Sequence, residues 1–129
     1  MKDRRLNKEF LEEFKPYDFS KIIENKIFLV GSITKAKEEF IKIESILQIL
    51  YNKRVSICSV DGLLNKNMFS KEEWTILQDI ALEKLKDHNA ILVLDVENYI
   101  GNETREEIEY ARDILNKPIY YLSELKKEN

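Results

Sequence analysis

The feature that most constrains the fold is a pair of short apolar runs. They read K-I-F-L-V at 26–30 and A-I-L-V-L at 90–94. Strands with one face in water alternate apolar and polar residues, whereas strands covered by helices on both faces are apolar almost throughout. Two further runs, at 54–60 and 119–122, have the length and the β-branched or aromatic residues of strands. The sequence therefore predicts four strands, and at least two of them are buried on both faces.

Helical periodicity fills each interval between these runs. The predicted buried stripes are Phe40, Ile43, Leu47 and Leu50 in the first helix, Trp74, Leu77, Ala81 and Leu85 with Ile76 and Ile80 in the second, and Ile108, Ala111, Leu115 and Ile114 in the third. Ser70 and Glu73 form a capping box at the start of the second helix, and Asn116 caps the end of the third. Strands that alternate with helices imply a parallel sheet with right-handed crossovers. We therefore predict an α/β fold with strand order 2-1-3-4 and helices on both faces.

Residues 1–25 precede the first strand, and residues 26–129 form the predicted α/β domain. Leu6, Phe10 and Phe14 recur every four residues, which indicates an amphipathic helix that Pro16 ends. Either this helix covers part of the core or a sheet edge, or it is a dimerisation element.

Composition disfavours several classes of function. The chain of 129 residues fits one domain, and its 21 basic and 24 acidic residues leave a net charge of −3, which does not suit a nucleic acid polymer as partner. Three glycines leave no glycine-rich phosphate loop. The single cysteine, Cys58, is expected to be a buried small side chain in a reducing compartment. Since no apolar run approaches the length of a membrane span, we expect a cytoplasmic protein without a membrane partner.

The predicted strand order brings two strand ends together. The order 2-1-3-4 reverses direction between strands one and three, and ligands bind at the carboxyl ends of strands at such a point. These ends are Gly31-Ser32 and Asp95. Ser32 and Thr34 either cap the following helix or meet a phosphate or sugar at its N-terminus. We expect Asp95 to reach a sugar hydroxyl and Tyr99 to lie over a base.

The helix that follows has an acidic start with two interpretations. The segment T-R-E-E at 104–107 matches a capping box, in which the Thr104 side chain accepts from the Glu107 N–H and the Glu107 carboxylate reaches back. The helix is then expected over about 105–115. Alternatively, the helix dipole keeps a first-turn carboxylate ionised at the crevice, and an ionised carboxylate is the nucleophile that a glycosidic centre needs. Both interpretations centre on Glu107.

Several of these segments resemble the nucleoside 2-deoxyribosyltransferase superfamily. K-I-F-L-V-G-S-I at 26–33 is similar to its first strand and turn, and H-N-A-I-L-V-L-D at 88–95 to its third strand. E-I-E-Y-A at 107–111 and K-P-I-Y-Y at 117–121 are similar to its E-x-G-Y-A helix and final strand. The resemblance covers roughly residues 26–122. It implies a flavodoxin-like three-layer sandwich that cleaves the N-glycosidic bond of a nucleoside or nucleotide.

The resemblance also implies roles for individual residues. Glu107 falls on the nucleophilic glutamate of the family, Thr104 on its threonine, and Gly31-Ser32 on its sugar-side turn. Gly101 lies two residues before the position of the glycine that usually precedes that threonine, and it is a further predicted substrate-binding residue. The resemblance implies a homo-oligomer, a small-molecule substrate and neither a cofactor nor a metal.

The chain departs from the family pattern, and other classes of function stay open. Glu103 and Glu109 stand in place of family glycines, and Asn89 in place of an aspartate, so the sugar-binding carboxylates do not all carry over. A non-catalytic module that holds a nucleotide in the same crevice is the main alternative. A receiver-like signalling domain is disfavoured, because Gly31-Ser32 occupies the place of its acidic pair. The lone histidine, His88, is expected at an exposed helix–strand junction, and no second histidine exists to build a metal site.

Overall fold

The computed structural model describes residues 8–57 and 69–127, except for a few side chains within them. The strands are β1 (Lys26–Gly31), β2 (Arg54–Ser56), β3 (Ala90–Leu94) and β4 (Ile119–Tyr121). The helices are α1 (Lys8–Phe14), α2 (Ile33–Tyr51), α3 (Lys71–Lys86) and α4 (Asn102–Glu109). The four strands form one parallel sheet in the order β2-β1-β3-β4. The predicted flavodoxin-like α/β fold and its strand order are confirmed.

Alternate residues of β1 and β3 build two hydrophobic clusters, one on each face of the sheet. The cluster on the side of α1 and α2 contains Ile27, Leu29, Ala90, Leu92 and Leu94. The cluster on the side of α3 and α4 contains Phe28, Val30, Ile91 and Val93, together with Leu85 and Ile108 of those helices. Because helices cover both faces, both strands are apolar along nearly their whole length.

The N-terminal segment packs into the first of these clusters. Phe14, Phe19 and Ile22 are buried there with the strand residues. The connector after α1 also pairs with the C-terminal segment, since the Asp18 N–H donates to the Leu125 carbonyl at 2.7 Å. This segment therefore covers part of the core, which agrees with the first of the two interpretations of residues 1–25 given above. Leu6 lies outside the described residues, as does the side chain of Phe10.

The predicted capping box of α3 is present. The Glu73 N–H donates to the Ser70 hydroxyl at 3.2 Å, and the Ser70 N–H donates to the Glu73 carboxylate at 2.7 Å. The predicted buried stripe of this helix is too wide, however. Ala81 and Leu85 are buried, whereas the side chains that flank this stripe, Ile76 and Ile80, are exposed. Leu50 at the end of α2 is likewise exposed, because only the narrow stripe of each helix meets the sheet.

The helix that carries Glu107 begins earlier than predicted. Gly101 is the N-cap residue of α4, and the Arg105 N–H donates to the Gly101 carbonyl at 2.9 Å. Thr104 is therefore the third helical residue, and the interpretation of Thr104 as the cap is wrong. A T-x-x-E segment matches the capping-box pattern wherever it falls in a helix, so the pattern by itself misplaces the start.

The end of this helix also differs from a regular α-helix. After Glu109 the chain forms a π-helical turn, Tyr110–Ile114, and the Leu115 N–H donates to the Tyr110 carbonyl at 3.1 Å. A π turn holds an extra residue and shifts the side chains that follow it. As a result Ile114 is 65% exposed, although it was predicted to be buried. Asn116 then ends the helix in the left-handed conformation at φ 55°, in agreement with its predicted capping role.

Three further sequence predictions can be compared with the structure. Of the predicted strand at 54–60, Arg54–Ser56 is a strand and Ile57 is not, and residues 58–60, with Cys58, lie outside the described residues. His88 was predicted to be exposed, but it is buried between α3 and β1. Across the described ranges, none of the helices has the length and apolar character needed to cross a membrane.

Candidate active site

The carboxyl ends of β1 and β3 lie side by side, with Gly31 opposite Leu94 in the sheet register. A Cβ atom at Gly31 would lie 3.1 Å from the Leu94 carbonyl oxygen, 3.2 Å from the Leu94 Cβ and 3.5 Å from the Phe40 ring. Backbone and core atoms leave little room for a side chain here. Gly31 therefore has a packing role whether or not it also approaches a substrate.

Ser32 joins β1 to α2. It is partly buried, and its carbonyl oxygen accepts from the Ala36 N–H at 2.8 Å. Ala36 departs from helical geometry, with φ −120° and ψ 19°, so the first turn of α2 is irregular. The side chains of Thr34, Lys35 and Lys37 in this turn lie outside the described residues. Substrate binding by Ser32 and Thr34 stays a prediction.

Asp95, immediately after β3, makes a specific long-range contact. Its carboxylate accepts from the Ser123 N–H at 3.0 Å and from the Ser123 hydroxyl at 2.6 Å. Ser123 belongs to a single 3-10 turn, Leu122–Leu125, that follows β4. Asp95 therefore links the ends of two adjacent strands. The sequence gives no local signal for this bond, because its partners are 28 residues apart.

Asp95 also lines a cleft on the side of the sheet that carries α1 and α2. The cleft has a volume of about 280 Å³, and its other charged or polar walls include Tyr17, Glu39 and Lys126. The Lys126 ammonium lies 5.9 Å from the centre of the Tyr17 ring. Burial, together with the carboxylates of Asp95 and Glu39, raises the pKa of the Tyr17 phenol, so Tyr17 is neutral at physiological pH.

The loop from Asp95 to α4 is strained at two consecutive residues. Glu97 and Asn98 have φ values of 58° and 59°, in the left-handed region that non-glycine residues seldom adopt. Tyr99 follows and is exposed, which leaves its ring accessible to solvent or to a ligand. Gly101 then begins α4 with φ −75°, and an added Cβ would meet only ordinary contacts at 3.7 Å from Tyr99. Its conformation therefore does not require glycine.

Thr104 and Glu107 lie one turn apart on the inner side of α4. They are 3% and 7% exposed, next to the buried apolar residue Ile108. Glu107 is the sixth residue of the helix, so it lies beyond the first turn, where the helix dipole has most of its effect. The dipole argument for its charge is thus lost. What the structure shows instead is that Glu107 is buried, in a helix that contacts β1.

The predicted site residues lie near the carboxyl ends of the strands, but on opposite faces of the sheet. Asp95 lines the cleft on the side of α1 and α2, whereas Thr104 and Glu107 belong to the helix packed on the other side. Gly31 and Ser32 lie between these two groups, at the end of a central strand. Within residues 8–57 and 69–127, no three His, Cys, Asp or Glu side chains are arranged to hold a metal ion.

Comparison of the chain with protein-family models, with curated proteins and with solved structures finds no match.

Proposed function

We propose that this protein cleaves the N-glycosidic bond of a nucleoside or nucleotide, with Glu107 as the nucleophile. The observation that carries the proposal is the burial of Glu107 on the inner side of α4, at a position where it cannot be the helix cap. Carboxylates that are buried and held in place by the fold are common at functional sites. The sequence resemblance independently assigns the nucleophile to the same residue.

The reaction that we propose uses few groups. A Glu107 carboxylate oxygen attacks the anomeric carbon, and the bond from that carbon to the base nitrogen breaks. The base leaves with the bonding electrons and takes up a proton, while the sugar stays attached to Glu107 as an ester. Water hydrolyses the ester in a hydrolase, and a second base displaces the carboxylate in a transferase. Either step regenerates the Glu107 carboxylate, and neither requires a cofactor or a metal.

The substrate in this proposal is a small molecule. Gly31, Ser32 and Thr104 would contact the sugar or a 5′-phosphate, Asp95 a sugar hydroxyl, and Tyr99 the base. Gly101 would contact the substrate at the start of α4, where it leaves the entrance free of a side chain. A net charge of −3 gives no support to a nucleic acid polymer as substrate. The same proposal places the protein in the cytoplasm, without a membrane partner.

A homo-oligomer is a further part of this proposal. Ile76 and Ile80 are exposed on α3, and Ile114 is exposed on the π turn that α3 contacts. Exposed apolar side chains on neighbouring elements are typical of surfaces that a partner covers. Sedimentation of the purified protein, compared with an Ile76→Lys/Ile80→Lys variant, tests this point. A monomeric wild-type protein would contradict it.

The experiment for the main proposal measures base release. Wild-type protein is incubated with purine and pyrimidine nucleosides and with their 5′-monophosphates, and free base is quantified by chromatography. We expect Glu107→Gln to lower the rate of base release by about 10⁴-fold or more, since it removes the nucleophile. The matched control is Glu106→Gln, because Glu106 is exposed on the same helix and should keep the wild-type rate. An undiminished rate in Glu107→Gln would contradict the assignment.

The second candidate is a nucleotide-binding module that does not turn over its ligand. The specific observation in its favour is that the Asp95 carboxylate already accepts two hydrogen bonds from Ser123, which weakens the sugar-orienting role that the enzyme would need from it. Calorimetry separates the two candidates. Saturable binding of a nucleotide at one site per chain, without any release of base by the wild-type protein, would establish the module and exclude the enzyme.

A further inference from the structure

His88 lies at the end of the sheet opposite the candidate active site. It follows α3 and precedes β3, where the Asn89 N–H donates to the Lys26 carbonyl at 2.7 Å. Its side chain is 5% exposed, and its ring meets the Phe28 ring edge-on with the centroids 5.1 Å apart. His88 therefore forms a contact between the C-terminus of α3 and the central strand β1.

The two ring nitrogens of His88 have different surroundings. Nδ1 lies 2.6 Å from the Lys84 carbonyl oxygen. A carbonyl oxygen only accepts hydrogen bonds, so Nδ1 carries the proton of the neutral ring and Nε2 is left as an acceptor. Nε2 is buried, and it has no hydrogen-bond partner among the described residues. A second proton would therefore place both a charge and an unpaired N–H in an apolar site.

Polar and charged groups on the neighbouring elements also influence the protonation of His88. Lys26 at the start of β1 and Lys117 before β4 both disfavour a positive imidazole. Asp87 and the Lys84 carbonyl favour it, but they do not outweigh burial. The net result, with burial as the largest cause, is a lowered pKa for His88.

We propose that His88 forms a pH-sensitive contact between α3 and the sheet, and that this contact weakens at acidic pH. The neutral imidazole holds the last turn of α3 through Lys84 and packs on Phe28, and protonation of Nε2 loosens this contact. Phe28 belongs to the same cluster as Leu85 and Ile108, so the loosening acts on the core beneath both α3 and α4. This proposal is independent of the proposed enzymatic function.

The direction of the pH effect follows from proton binding. His88 has its ordinary pKa of 6.5 in the unfolded chain and a lower pKa in the folded protein. At pH values between these two, the unfolded state binds more protons than the folded state. Stability is therefore fully retained above about pH 6.5 and is lost as the pH falls below it. Between the two pKa values the unfolding constant rises by up to about tenfold per pH unit.

The first experiment uses the fact that His88 is the only histidine. In protein without an affinity tag, the imidazole protons give a single set of nuclear magnetic resonance signals whose titration reports His88 alone. We expect a midpoint below 6.5. A midpoint at or above 6.5 overturns the proposal. This measurement needs only the wild-type protein, so it holds even where a variant fails to fold.

The second experiment compares urea unfolding of the wild type and His88→Gln at about pH 7.5 and about pH 5.5, a window above the main titration of exposed carboxylates. Glutamine can donate to the Lys84 carbonyl but cannot take up a proton. We expect the wild type to lose stability over this window and the variant to lose much less. Trp74, the only tryptophan, lies on α3 and reports the transition by fluorescence. An equal loss in both proteins overturns the proposal.

Discussion

Two helices on the same face of the sheet contain the same four-residue pattern, and the pattern has a different role in each. In α3 the residues are Ser70 and Glu73, which are exposed and cap the helix through two reciprocal hydrogen bonds. In α4 the residues are Thr104 and Glu107, which are buried inside a helix that has already begun at Asn102. Glu73 therefore stabilises the start of α3, whereas Glu107 does not cap α4.

The difference lies in the chain that precedes each pattern. At Ser70 the backbone is extended, so its hydroxyl faces the free N–H groups of the first turn. Before Thr104 the chain is already helical, and Gly101 begins α4 without any side-chain cap. Glu73 is accounted for by the cap of α3, whereas Glu107 is buried at a position that capping does not account for. A buried carboxylate without a capping role is a candidate for function, which is why we propose chemistry for α4 and not for α3.

The largest effect on stability is expected at Gly31, the last residue of β1. The comparison depends on the position of α4, and α4 contacts β1. In Gly31→Ala the new methyl group meets the Leu94 carbonyl at about 3.1 Å. We expect a loss of about 1–3 kcal/mol, the usual cost of overpacking. Urea unfolding measures it. Gly101→Ser is the matched control, because its Cβ has ordinary contacts and serine suits an N-cap position. An equal loss in both variants would contradict the packing role of Gly31.

An intermediate effect is expected at the cap of α3. Ser70→Ala removes the hydroxyl that accepts from the Glu73 N–H, and we expect a loss of about 1 kcal/mol. The variant should keep the wild-type rate of base release, because α3 has only a structural role in the proposed reaction. Thermal unfolding measures the first quantity and the chromatographic assay the second. A stability unchanged within error would contradict the capping role of Ser70 and Glu73.

The smallest effect is expected at the start of α4. Gly101 has φ −75° and ψ 169°, the extended geometry of an N-cap residue, so a serine there can accept from the first-turn N–H groups. We expect Gly101→Ser to raise the free energy of unfolding by a few tenths of a kcal/mol. If its hydroxyl also narrows the entrance to the proposed site, base release slows while stability rises. A destabilised variant would show that glycine is needed there for another reason.

Most of the fold could be predicted from the sequence because the strand signals are strong. The apolar runs that contain β1 and β3 leave little choice of boundary, and the predicted and observed ends differ by at most one residue. The capping box at Ser70 was equally readable, since all its parts lie within four residues. The outward positions of Ile76, Ile80 and Ile114 could not be predicted, because they depend on how much of each helix the sheet covers and on a π turn without a sequence signal.

The candidate site was predictable only in part. Glu107 and Thr104 were identified from a local pattern and a family resemblance, but the pattern placed the helix start three residues too late. The bond between Asp95 and Ser123 joins residues far apart in the chain, so no local pattern could indicate it. The burial of His88 was missed for the same physical reason, since its neighbour Phe28 lies on a strand distant in sequence.

The most direct test compares the two glutamates of the shared pattern in one assay. Base release from the preferred nucleoside or nucleotide is measured for the wild type, Glu107→Gln and Glu73→Gln. We predict that Glu73→Gln keeps the wild-type rate, whereas Glu107→Gln falls by about 10⁴-fold or more while it stays folded. A folded Glu107→Gln protein that releases base at the wild-type rate would contradict the assignment of Glu107 as the nucleophile.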